Sequence, residues 1–230
     1  MVPTARLCYE SIPIDGKVLD VGCFGFNQYK FSQSLGLTKH VHFGIDYSEP
    51  FGQLPPGYTF RSVDLNVESI PFENDTFDLV VMSHVIEHLS NPINVFRECV
   101  RICKPGGLVY IVAPSERSLF MPGSPFEHDK FYSLSFYDDP THLSRPWTPQ
   151  SLYRLCIYSS CQPIRWGYNY DSFLRRLIAP YSILRALLTR NAGLLERTCW
   201  GLIGWSSYIV LKKPQNILGL PAFKYFIPDR

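Results

Sequence analysis

The 230-residue sequence has no CxxC pair, no long run of Lys or Arg, no G-x-G-x-x-G and no apolar stretch long enough to cross a bilayer. Each absence excludes something. Cys99 and Cys103 are four apart and Cys156 and Cys161 five apart, which is not zinc-ribbon spacing. Seven cysteines in all suit buried thiols in a reducing cytoplasm better than a disulfide framework. A net charge of +2 without a basic cluster leaves no electrostatic footprint for nucleic acid. The uncharged stretch "TCWGLIGWSSYIVL" is too short and too polar for a membrane span, and the start "MVPTARLCYE" lacks the charged-then-apolar layout of a signal peptide. Without G-x-G-x-x-G the cradle that a dinucleotide enzyme offers to pyrophosphate is missing.

The composition that remains is globular. Hydrophobic residues make up 46% and charged residues 18%, enough apolar surface to form a core in one domain over residues 1–230. In the first half, β-branched runs alternate with helical stretches. "KVLDV" (17–21), "HVHFGI" (40–45), "YTFRSV" (58–63), "FDLVVM" (77–82) and "LVYIVA" (108–113) read as strands. Segments 27–36 and 92–104 read as helices, the second with Ile93, Phe96, Val100 and Cys103 on one face and "KPGG" as its stop. Strands separated by helices predict a parallel sheet with ligands at the strands' carboxyl ends.

The second half is built differently. Residues 114–147 form a long connection carrying Phe120, Phe126, Phe131, Tyr132, Phe136, Tyr137 and Trp147, as a lid or binding segment would. "TPQSLYRLCIYSS" predicts a helix with Thr148 as N-cap and Pro149 in its first turn. "PIRWGYN" reads as a strand, 172–204 as a mostly helical insertion and "WSSYIVLKK" (205–213) as a closing strand. Segment 172–190, with Arg175, Arg176, Arg185 and Arg190, reads as a helix packed on the sheet with a basic outer face; peripheral membrane contact or partner docking is the alternative.

A strand ending in "LDVG" that turns into a helix presents backbone N–H groups at the sheet edge. Asp46 ends the second strand, where a carboxylate accepts both hydroxyls of a ribose, and Asp64 ends the third. A ligand with ribose and adenine but no phosphate tolerates the bulk of "GCFGFN". In this order "KVLDVGC", "FGIDYS", "RSVDLN", "PFENDTFDLVVMSHVIEHLSNP" and "KPGGLVYIVAP" resemble the motifs of class I S-adenosylmethionine-dependent methyltransferases over about residues 15–115. The resemblance implies an α/β fold: a Rossmann-like, seven-stranded, mostly parallel sheet with helices on both faces and an antiparallel last strand. It also implies that Gly22, Cys23 and Phe24 line the cofactor's methionine part through backbone. Asp46 would hold the ribose and Tyr47 would lie beside the adenine. Asp64 and Leu65 would meet the adenine, with Ser83 near the methionine end. The departure from the family pattern is phenylalanine at 24 and 26, where it has glycine.

"HVIEH" (84–88) matches an inverted zinc-peptidase motif. It follows directly from a strand, and no downstream carboxylate on a second helix offers a third ligand, so a peptidase is set aside. No metal is expected, and His88 is read as a helix-start histidine with a structural bond. Related O-methyltransferases that hold a divalent cation near this Glu-His pair keep the alternative open.

"FYDDPTHLSRPWTPQSL" (136–152) resembles a segment of methyltransferases from cell-surface polysaccharide and glycan pathways. That implies methylation of a hydroxyl on a sugar or other small-molecule acceptor. Such a reaction needs a base for the departing proton. His142 is the first candidate and His128 the second, with Asp139 orienting one of them. Arg145, Tyr137 and Trp147 are candidate acceptor contacts, Arg145 toward a phosphate or carboxylate. The other reading is a non-catalytic module of the same fold that docks a partner through its lid and basic helices.

Overall fold

The computed structural model describes residues 3–50, 52–123, 125–126 and 134–215. Seven strands form one sheet: β1 (Lys17–Val21), β2 (Val41–Asp46), β3 (Thr59–Ser62), β4 (Phe77–Ser83), β5 (Cys103–Pro114), β6 (Gln162–Tyr168) and β7 (Ser206–Lys212). Their order is β3-β2-β1-β4-β5-β7-β6. The pairs from β3 to β5 are parallel, whereas β7 runs antiparallel to both β5 and β6.

Because successive side chains alternate across a strand, the continuous apolar runs bury both faces of the sheet. Leu19, Val21, Ile45, Val80, Met82 and Ile111 face one side. Helices α3 (Pro92–Ile102) and α4 (Pro149–Tyr158) cover that side through Val95, Phe96, Cys99, Leu152 and Leu155. Val18, Leu79, Val81 and Val112 face the other side. There α1 (Pro3–Glu10) packs Ala5, Cys8 and Tyr9, and α2 (Asn27–Ser34) packs Phe31. Fully burying a ring such as Phe96 contributes about 2–3 kcal/mol.

Several local expectations are met. Thr148 caps α4 by accepting from Ser151 N, with Pro149 at the first position. All seven cysteines are buried and free. Three local readings differ from the sequence pattern. Helix α1 was not foreseen, because its eight residues give too short a period to stand out. Helix α3 ends at Ile102 and buries Val95, Phe96, Cys99 and Ile102, so Ile93 is 39% exposed and Cys103 already opens β5. "KPGG" lies inside β5 as an irregularity opposite Phe77–Leu79, with Gly106 at φ 81°, a conformation open to glycine.

The helical insertion between β6 and β7 comprises α5 (Phe173–Leu177), α6 (Ala179–Leu188) and α7 (Ala192–Ile203). It departs from the expected helix lying on the sheet. Ala186, Leu195 and Cys199 instead form a separate small core with Leu134 of the 114–147 connection, against which Met121, Phe126, Ile183 and Leu194 pack.

Candidate active site

The turn after β1 keeps its shape despite its bulky residues. Gly22 sits at φ 81°, and a Cβ there would overlap Val85, so glycine is required. The N–H groups of Gly22 and Cys23 both donate to the Ile45 carbonyl, at 2.8 and 3.3 Å, and so fasten the turn to the end of β2. Those two amides are therefore spent inside the fold. The backbone that Gly22 and Cys23 offer a ligand is carbonyl and open approach.

Phe26 adopts the left-handed conformation at φ 54°, which an L-residue takes at a cost of about 1–2 kcal/mol. Its ring is 3% exposed and meets Tyr58 edge-on at 5.1 Å, beside Cys23. That burial, about 2–3 kcal/mol for a phenylalanine, offsets the strain. Behind it His42 stacks on Tyr58; burial and then the nearby His40 lower its pKa to about 4, so it behaves as a neutral aromatic. Phe24 points the other way, 58% exposed, into a cleft.

That cleft, of about 600 Å³, opens at the carboxyl ends of β1, β2 and β4. Gly22, Phe24, Asp46, Tyr47, Asp64 and Leu65 line it, together with Asn66, His84, Val85, His88, Thr141 and Leu143. Asp46 is 9% exposed; its Oδ1 accepts from Ser48 N at 3.2 Å and from the Ser48 hydroxyl at 3.4 Å, which sets the carboxylate's orientation. Asp64 is exposed, and its Oδ1 accepts from Asn66 N at 2.9 Å. Asn66 in turn accepts from Ser90 N at 2.8 Å, joining the loop after β3 to the one after β4. Beneath the turn Asp20 is 4% exposed. Burial, and then the charge of Asp46, push its carboxyl well above the usual carboxylate range, against a backbone hydrogen bond from Gln28. Asp20, Asn66, His84 and Thr141 were not among the expected site residues, although "LDVG" and "DLN" carried the signal for the first two.

The other end of the site is built from two distant segments. The Glu87 carbonyl accepts from the N–H groups of Leu143 and Ser144, each at 2.9 Å, and the Ser144 hydroxyl donates to the Ile86 carbonyl at 3.1 Å. These bonds dock "DPTHLS" onto the turn that follows β4. Glu87, 1% exposed, His88 and His142 then each offer one ligand atom within 4.8 Å of the others. His88 Nδ1 lies 3.2 Å from the Thr141 carbonyl and 3.0 Å from its hydroxyl. His142 Nδ1 lies 2.8 Å from the Phe136 carbonyl, and its ring stacks on Phe136 at 4.1 Å. A ring that donates from Nδ1 to a carbonyl leaves Nε2 with its lone pair. His142 Nε2 stands 3.9 Å from Asp139 Oδ2. Burial works to raise the Asp139 carboxyl, but bonds from Thr141 and the nearby histidines outweigh it and hold it below its usual value.

His88 ends a three-residue 3-10 turn, Ile86–His88, and His84 precedes it at φ 56°, so the two histidines of "HVIEH" do not share a helix face as a peptidase would need. His84 Nδ1 instead lies 3.4 Å from Glu87 Oε1, with its ring stacked on Trp200 at 6.0 Å.

The other expected residues fall elsewhere. The Cys23 side chain is in the core, and Ser83 closes β4 opposite Val112, outside the cleft lining. Arg145 and Trp147 line a second groove of about 410 Å³ with Arg97 and Arg154, and Trp147, 4% exposed, is part of the main core. That burial leaves Trp147 little ring surface for an acceptor. Tyr137 is 75% exposed on a 3-10 turn. His128, Phe131 and Tyr132 lie outside the described residues.

A mostly parallel seven-stranded sheet in this order, with acids ending the second and third strands at one cleft, is the class I S-adenosylmethionine-dependent methyltransferase fold. Residues 19–111 match the family described as "Methyltransferase domain", and the cofactor of that domain is S-adenosyl-L-methionine. The site fits it. The volume is in the usual range for ligand clefts, about 300–1,000 Å³, and the Asp46 carboxylate lines it.

The ubiquinone biosynthesis O-methyltransferase of Vibrio vulnificus is 29% identical over 151 residues, 55% of this chain and 63% of the relative. The likeness thus spans less than two thirds of that protein. Among solved structures, a Haloferax volcanii methyltransferase in complex with the Trm112 methyltransferase activator has a TM-score of 0.66 at 15% identity, covering 92% of this chain and 89% of that one. An S-adenosylmethionine-dependent methyltransferase from Mesorhizobium loti has a TM-score of 0.60 at 16% identity, covering 91% and 96%.

Proposed function

We propose that the chain transfers a methyl group from S-adenosylmethionine to a hydroxyl oxygen of a small-molecule acceptor. The observation that carries this is the pairing, around one cleft, of the Asp46/Asp64 cofactor end with the Glu87–His88–His142 cluster. S-adenosylmethionine, when bound, supplies an electrophilic methyl on sulfur and leaves as S-adenosylhomocysteine. Asp46 holds the ribose. His142 accepts the hydroxyl's proton at Nε2, its Nδ1 being committed to the Phe136 carbonyl, and His88 on the cleft wall lies beside it with its Nδ1 at the Thr141 carbonyl. A non-catalytic docking module would have no use for a buried carboxylate gathered with two such rings.

The name of the Vibrio relative supports oxygen as the methylated atom and offers a hydroxyl on a ubiquinone precursor as one acceptor class. The segment 136–152 supports a sugar or glycan-linked hydroxyl as another. Methyl transfer from labelled S-adenosylmethionine, screened on catechols and on sugar acceptors with amine controls, is the test. Label on oxygen in one hydroxyl class is expected; label on amines alone would overturn the reading.

A second reading of the same cluster has its own observation. Among the described residues the buried Glu87 Oε2 has no hydrogen-bond partner, and a Glu87 oxygen lies within 4.8 Å of ring nitrogens of His88 and His142, whose Nδ1 atoms are both tied to carbonyls. Two imidazoles and a carboxylate are a donor set for a divalent cation, which would bind the acceptor hydroxyl and lower its pKa. A chelator that leaves S-adenosylhomocysteine binding intact but stops turnover would select this reading over the simple base.

A further inference from the structure

Helix α6 is apolar on two sides, and among the described residues only one of them has a partner. Ala179 and Ala186, 1% and 0% exposed, face the protein with Ile183, toward α7 and the lid core. On the opposite side Tyr181 is 67%, Leu184 56% and Leu188 77% exposed. The pattern continues through α5, where Phe173, Leu174 and Leu177 are 74%, 72% and 65% exposed. Ile178, a turn residue with φ −87° and ψ 0°, closes α5 and opens α6. Positions 174, 177, 181, 184 and 188 recur every three or four residues, a span of about 21 Å at helical rise. A monomer rarely leaves so continuous an apolar strip in water.

The charges select what covers it. Residues 172–195 contain four arginines, at 175, 176, 185 and 190, and no Asp or Glu. The acid just before them, Asp171, already pairs with Arg175 at 3.3 Å. Arg185 neighbours Leu184 on α6, and Arg175 and Arg176 stand exposed on α5, Arg176 over the Tyr170 ring at 5.3 Å. Leucine with arginine close by, a cation whose guanidinium stays wet, matches a bilayer interface. Protein interfaces instead draw their binding energy chiefly from Trp, Tyr and Arg, with Leu under-represented.

We propose that α5 and α6 seat the protein on the surface of an anionic lipid membrane. The orientation gives this a purpose. Because β6 is antiparallel to β7 and β7 to β5, β6 ends at the same sheet edge as β1 to β5, so the insertion leaves from the cleft side. Trp200 of α7 stacks on His84, a cleft residue. The membrane would thus lie at the acceptor end, suited to an acceptor carrying a lipid tail. That last point rests on the proposed methyl transfer; the docking itself does not.

The full chain should be sedimented with vesicles of phosphatidylcholine alone and with phosphatidylglycerol added, at low and high salt. Binding is expected to the anionic vesicles and to weaken with salt. Arg175→Gln with Arg176→Gln should weaken it about thirtyfold, at about 1 kcal/mol per basic residue near the surface. Leu184→Glu with Leu188→Glu should abolish it. Both pairs are exposed, and adenosylhomocysteine binding and melting temperature, measured on the same samples, should stay as in wild type. Failure of the wild-type chain to bind anionic vesicles overturns the proposal. So does self-association, or capture of a purified protein partner, that is lost in the leucine variant while vesicles still bind. If adenosylhomocysteine binding is absent as well, the methyltransferase reading fails separately.

Discussion

His142→Ala is expected to lower turnover by about a hundredfold while leaving adenosylhomocysteine affinity within about twofold. Removing a general base typically costs 10²–10⁴ in rate. The low end is expected here, because positioning of the acceptor supplies much of the acceleration and does not depend on this ring. The split between rate and affinity follows from the geometry: His142 sits on Phe136 and beside His88, with ring centroids 4.8 Å apart, and away from Asp46 and Asp64. The loss should shrink at high pH, where the acceptor hydroxyl ionises unaided. A ring that serves only to hold Phe136 and the loop would give a lowered melting temperature, with affinity and turnover declining together. Unchanged turnover with the true acceptor would remove His142 from the mechanism and pass its role to His88.

Asp46→Ala is expected to weaken adenosylhomocysteine binding roughly ten- to hundredfold. Hydrogen bonds to a charged group contribute about 1.5–3 kcal/mol, and each 1.4 kcal/mol is a factor of ten. The fold should survive. Among the described residues the Asp46 side chain hydrogen-bonds only to Ser48, and its charge is one of the two influences that penalise ionisation of the buried Asp20. Losing that charge offsets part of what the loop loses. Asp64→Ala should cost less, because an exposed carboxylate competes with water for the same contact. Normal binding by Asp46→Ala would mean that the end of β2 does not hold the ribose.

The sheet was legible because its strands are continuous β-branched runs, and buried parallel strands read that way whatever packs on them. The positions of Gly22, Asp46 and Asp64 around the cleft were legible for a related reason: each lies at or just past a strand end, so placing the strands placed the residues. The Glu87–His88–His142 cluster was not. Glu87 and His142 meet because the amides of Leu143 and Ser144 dock on the Glu87 carbonyl, a long-range bond that no local pattern encodes. Hence "HVIEH" suggested two histidines of one helix, whereas the structure groups the second of them with a histidine from a different loop. Segment 172–190 failed in another way. Periodicity finds an apolar stripe but does not say which stripe meets the protein when a helix carries two. The "GCFGFN" turn shows the opposite case: Phe26 breaks a local rule, and the aromatic pocket of Tyr58 and Cys23 compensates.

The measurement that bears most directly on the central claim is a calorimetric titration of the wild-type chain with S-adenosylhomocysteine and, separately, with NAD, followed by thermal melts. Saturable binding of S-adenosylhomocysteine near one per chain is expected, with no heat from NAD. At a hundred times its dissociation constant the ligand should add about 2.7 kcal/mol of stability, several degrees in melting temperature for a domain of this size. Equal shifts with both ligands, or none with either, would contradict the assignment of this cleft to S-adenosylmethionine.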